Sequence, residues 1–140
     1  MDKSTFAAIL PADTPGNLPY WMLFVSGLAI FNSAQNFLTT KLTKRVYSRA
    51  PAGAVNPLQA RNFAVWTLLS AFVRIYAAYN IGNKPVYDLA LISYVLALGH
   101  FASEFLFFRS AGLVGVASPF IVATTSLVWM VKQYDFYVRL

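Results

Sequence analysis

The chain has 140 residues, of which 58% are hydrophobic, 16% aromatic and only 11% charged, where a soluble domain carries roughly 25% charged residues. So few charges cannot cover the surface of a globule this small, and most of that surface is expected to face lipid. With no Cys and a single His, disulfide frameworks, thiolate chemistry and His-rich metal centres are excluded, so no metal ligands are assigned.

The formal net charge is +6, from 11 Lys and Arg against 5 Asp and Glu. In a soluble chain that excess would raise nucleic acid as a partner. Its placement argues against one. Lys41, Lys44, Arg45, Arg49 and Arg61 fall in one acid-free stretch between two apolar segments, as expected of a cytosolic loop facing an anionic leaflet.

In chain order, four segments are long enough to cross a hydrocarbon core that needs roughly 20 apolar residues. The predicted spans are residues 18–38, 59–79, 87–108 and 110–131, giving an all-α integral membrane protein built as a four-transmembrane-helix bundle, one domain over 1–140. The first span has Pro19 near its start, where the missing N–H costs nothing. Arg74 interrupts the second span; His100 and Glu104 interrupt the third. Asn80 to Pro85 read as a tight turn that makes spans two and three an antiparallel hairpin, and Arg109 to Gly112 join spans three and four. The connection from Thr39 to Leu58 is the long one. Six basic residues on its side (Lys41, Lys44, Arg45, Arg49, Arg61, Arg109) against four on the other (Lys3, Lys84, Lys132, Arg139) place it in the cytosol and both termini across the membrane.

Each polar group within a span demands a partner, because an uncompensated charge at the bilayer centre costs about 2.5 to 3.5 kcal/mol. At about 1.5 Å of rise per residue, Glu104 lies about 6 Å below the basic surface, His100 about 12 Å and Arg74 about 21 Å. Asn32, Gln35, Asn36, Gln59, Arg61, Asn62, His100 and Glu104 are therefore expected to gather in one polar cluster beneath the basic loop, with Arg61 the partner of Glu104. The cluster reads first as helix-to-helix satisfaction and second as a catalytic or transport site. A lone His and a lone Glu lack the second carboxylate of paired acid and base work. Arg74, with no acid at its depth, is expected to snorkel to the far surface. Small residues at Gly112, Gly115, Ser118, Val122 and Thr125 form a stripe on the fourth span suited to close helix packing, within the bundle or in a homodimer. Pro119 is expected to kink that helix. There is no Gly-rich phosphate loop, G-x-S-x-G or H-E-x-x-H, so no cofactor or catalytic residue is assigned.

Leu58-Gln59-Ala60-Arg61-Asn62-Phe63-Ala64-Val65-Trp66-Thr67-Leu68-Leu69-Ser70, followed by Arg74, and Ala97-Leu98-Gly99-His100-Phe101-Ala102-Ser103-Glu104 resemble the ergosterol biosynthetic protein 28 family. Asn62 and Ala64 stand where that pattern leads one to expect Thr and Gly. The resemblance covers roughly residues 32–131. It implies a multi-pass endoplasmic reticulum protein without catalytic activity, a scaffold that tethers sterol C-4 demethylation enzymes. These partners are a sterol C-4 methyl oxidase, a decarboxylating sterol C-3 dehydrogenase and a 3-keto sterol reductase, with a sterol C-24 methyltransferase as a further neighbour. The competing expectation is a small membrane enzyme or transporter subunit that uses His100, Glu104 and Arg74.

Overall fold

A computed structural model describes residues 9–139; Lys3, counted above on the far side, lies outside them. Every regular element among the described residues is an α-helix: α1 (Leu18–Leu38), α2 (Lys41–Val46), α3 (Pro57–Tyr79), α4 (Lys84–Leu106), α5 (Leu113–Lys132) and α6 (Tyr134–Val138). The four long helices fall on the four apolar segments, with ends set by local chemistry. α3 starts at Pro57 because the Asn56 side chain accepts from the Gln59 N–H, and α4 starts at Lys84 because Asn83 does the same for Val86. Proline occupies the first turn of α1, α3 and α4, where no intrahelical N–H is lost. The tight turn is thus shorter than its Asn80–Pro85 signal, since Lys84 and Pro85 already belong to α4.

At the other end of α4 the chain reverses through Arg109, whose φ of 55° is left-handed, and Ala111 donates back to the Glu104 carbonyl at 3.2 Å. α5 therefore begins at Leu113, later than the predicted 110. By length and composition, α4 and α5 are apolar enough to cross a membrane.

α1 packs most closely on α3, α4 on α5, and α3 on α4. The α1–α3 contact is made of small side chains. Ala60, Ala64, Thr67, Ala71 and Ala78 are buried along α3, facing buried Ser26 and Ser33 of α1. Ser26, Ser33 and Thr67 each donate to the carbonyl four residues back, so they present small, satisfied surfaces that let two backbones approach closely.

Two apolar clusters result. One gathers Leu18, Met22, Tyr87, Tyr94, Met130 and Tyr137; the other gathers Val46, Tyr47, Phe63, Phe101, Ala111 and Val116 at the basic end. α6 folds back at the first end, and the Tyr137 hydroxyl accepts the Leu18 N–H at 3.2 Å, filling one of the vacant positions of α1's first turn. At the basic end the first part of the long connection packs against the bundle, while residues 51–54 are exposed. Thr43, Val46 and Tyr47 are buried, Gly112 donates its N–H to the Val46 carbonyl, and Arg49 donates its N–H to the Ser110 carbonyl. α2 lies so close to α5 that a Cβ on Gly115 would stand 2.6 Å from the Arg45 carbonyl oxygen and from Val46 Cα and O.

Candidate functional site

The expected single polar cluster is divided into separate pairs. Asn36 donates to Asn32 Oδ1 at 2.5 Å and accepts from Thr43 Oγ1 at 2.5 Å, a chain that ties α2 to the end of α1. His100 meets the Tyr47 hydroxyl at 2.7 Å through Nε2 and lies edge-on to Trp66, with ring centroids 5.3 Å apart. Tyr47, Phe63, Trp66 and Phe101 thus form an aromatic wall around the one imidazole. Burial first, and the Glu104 charge second, push the Tyr47 phenol well above its ordinary range, which keeps its proton available for this contact.

Glu104 accepts from Ser110 Oγ across the α4–α5 turn. The expected Arg61–Glu104 pair does not form: the ion pairs among the described residues are Lys84–Asp88 and Arg139–Asp135. The physical reason is helical position. Ala60 and Ala64 face α1, which turns Arg61 and Asn62 outward, where both are exposed. The Arg109 reversal meanwhile delivers a nearer donor to the carboxylate. Gln35 and Gln59 are half-buried outside these pairs, and Gln59 Oε1 is buried without a hydrogen-bond partner.

Arg74 does not snorkel. It is only 6% exposed, donating from Nε to Ser93 Oγ at 3.1 Å and from Nη2 to the Ser93 carbonyl at 3.2 Å. Its guanidinium carbon lies 3.9 Å from the Tyr94 ring centroid, within cation–π range. α4 crosses α3 at that level, so a protein face lies nearer than water.

The small-residue stripe is divided as well. Gly112 and Gly115 are taken up by α2 and the residues after it, whereas Ser118 and Thr125 are exposed. A self-association face built on the stripe therefore loses both glycines to the chain's own fold. The stripe that does bring two long helices together lies on α3 and α1, and its signal was legible as small residues at 60, 64, 67, 71 and 78. Tyr47 had no such signal, since it reaches His100 only because α2 re-enters the bundle.

Between the two apolar clusters lies a cavity of about 370 Å³, bounded by all four long helices and α2. Arg74, Tyr94, Trp66 and Pro119 are among its walls. Together these features define an all-helical protein with membrane-compatible helices, whose interior polar groups are mostly engaged with one another.

A family model described as "Erg28 like protein" matches residues 18–128. The chain is 48% identical over 135 residues to the "Ergosterol biosynthetic protein 28" of Candida albicans, covering 96% of this chain and 97% of that protein. With the protein of the same name from Schizosaccharomyces pombe it shares 52% over 114 residues, covering 81% and 82%. With the "Ergosterol biosynthetic protein 28 homolog" of Homo sapiens it shares 42% over 112 residues, covering 79% of each. The chain belongs to the Erg28 family. No solved structure matches it.

Proposed function

We propose that the protein serves ergosterol or related sterol biosynthesis as a non-catalytic, four-span scaffold of the endoplasmic reticulum membrane. In this reading it tethers the C-4 methyl oxidase, the decarboxylating C-3 dehydrogenase and the 3-keto reductase, with the C-24 methyltransferase nearby. The names of its relatives support the pathway. The observation that carries the architecture is the outer surface: Phe24 and Phe31 on α1, Leu69 and Phe72 on α3, Leu96 on α4 and Ile121 on α5 are all exposed. Large apolar side chains on the outside of every long helix suit lipid and the membrane helices of partners, not water. Tethering makes successive encounters intramolecular in effect, raising local concentration to about the millimolar range where geometry permits.

The test is co-purification in mild detergent from membranes with and without the protein. The three C-4 enzymes should be recovered together only when it is present, and the purified protein should turn over no sterol. Recovery of the enzymes as one assembly in its absence would overturn the scaffold reading. Turnover by the isolated chain, lost in His100→Ala and Glu104→Gln, would establish the enzyme alternative instead.

A further inference from the structure

We propose that the cavity between the two apolar clusters binds an apolar molecule bearing one carboxylate, its body among the aromatic walls and its acid group on Arg74. The volume, about 370 Å³, lies in the range of small-ligand sites and equals the liquid volume of about a dozen waters. An apolar body fits most of it. Most of the lining is aliphatic or aromatic, with Val25, Phe63, Phe101 and Val122 among it, and an ordered water requires two to four polar partners.

Beside Asn32, Thr67, Ser70 and Ser118, the lining holds two cations, Arg45, which is exposed, and Arg74, which is buried. Arg74 and Tyr94 both line the cavity, and the Tyr94 hydroxyl is buried without a hydrogen-bond partner. Ser93 engages two of the guanidinium's five donors through neutral oxygens. Among the described residues no carboxylate pairs with Arg74. A buried cation with neutral neighbours lacks its counter-charge, and a ligand carboxylate would supply one through the remaining donors. A neutral alcohol would not.

Leu28, Arg45, Val114 and Ser118 line the cavity and are also exposed, which sets its mouth between α1 and α5, with Arg45 of α2 at its rim. A ligand soluble in lipid reaches that mouth directly. Two bodies fit the chemistry, a fused-ring sterol-type acid and a single-chain fatty acid.

The experiment uses the full chain in neutral-lipid nanodiscs at pH 7, where a carboxylic acid in water is ionised. Affinities are measured for cholanic acid and its alcohol, and for oleic acid and oleyl alcohol. In at least one pair the acid is expected to bind about tenfold or more tightly than the alcohol, and the pair that does so identifies the body. Arg74→Gln should abolish that preference while alcohol binding persists. Ser118→Trp, at the exposed mouth, should weaken acid and alcohol alike, and it tests the location even if the Arg74 variant fails to fold. Equal binding of acid and alcohol in both pairs, a preference that survives Arg74→Gln, or affinities untouched by Ser118→Trp would each overturn the proposal. The measurement needs no enzyme partner, so its outcome is independent of the scaffold reading.

Discussion

Gly115 offers the sharpest test of how α2 is held. A Cβ at this position would stand 2.6 Å from three backbone atoms of Arg45 and Val46, whereas ordinary contact begins at 3.4 Å, so Gly115→Ala must drive the two segments apart by about 0.8 Å. Backbone cannot swing aside as a side chain can, and α2 is also tied by the Gly112–Val46 hydrogen bond and the Thr43–Asn36 contact. Overpacking of this kind costs about 1 to 3 kcal/mol, and Gly115→Leu should fall at or beyond the upper end. The assay is the thermal midpoint in mild detergent, with fluorescence and near-ultraviolet circular dichroism reporting on Trp66, which belongs to the aromatic wall that Tyr47 completes. Both variants should lower the midpoint, leucine more than alanine, while Thr125→Leu on the exposed part of the same helix leaves it unchanged. An unaltered midpoint for Gly115→Leu would refute the close approach of α2 and α5.

Three further outcomes follow from the same geometry. Arg74→Met should leave stability unchanged or raise it by about 1 to 4 kcal/mol, because Ser93 Oγ already donates to the Ala90 carbonyl and no buried group is orphaned; destabilisation in detergent titration would mean that the cation holds α3 to α4. Tyr47→Phe should cost about 0.6 kcal/mol, and no more than about 1.7, the range for hydrogen bonds within membranes, since the ring packing survives; a midpoint equal to the parent's would show that the His100 contact contributes nothing. Because the chain has no Cys, Ala52→Cys and Arg139→Cys give single reporters in sealed microsomes. The first should react with an impermeant maleimide directly and the second only after detergent, since α3, α4 and α5 lie between them; reaction of both without detergent would leave an even number of crossings and exclude four spans.

The helices were legible because two independent signals agreed. Apolar length marked Leu18–Leu38 on its own, and the Asn80–Pro85 turn signal separated α3 from α4, although the spans expected from residues 59 and 87 begin earlier, at Pro57 and Lys84. Charge placement was legible too. Lys41, Lys44, Arg45, Arg49, Arg61 and Arg109 are all exposed at one end with only Glu104 as an acid, whereas at the other end Lys84, Lys132 and Arg139 are offset by Asp13, Asp88 and Asp135. The acids make the asymmetry between the ends larger than the count of basic residues indicates. What the pattern could not convey was helix neighbourhood. Small residues appear on α1, α3, α4 and α5 alike, yet Gly99 has nothing within 4 Å of where its Cβ would be, while Gly115 has backbone there. Spacing shows that a face can be approached closely, not what approaches it.

The same limit explains the candidate site. Depth along a span assigns a partner only when both groups sit on straight helices that start at the membrane surface. Arg61 and Glu104 agreed in depth, but position around α3 turned the Arg outward. His100 found its partner 53 residues away in Tyr47, a residue of the connection, which carries a buried phenol inward because α2 docks on the turn after α4. Arg74 shows the opposite case. Its side chain is long enough to reach the surface, yet it remains beside Ser93 and Tyr94, where a π face and two oxygens replace part of its hydration. Those neighbours orient the guanidinium and leave its charge unmatched, so the residue least accounted for by packing is also the one that faces the cavity.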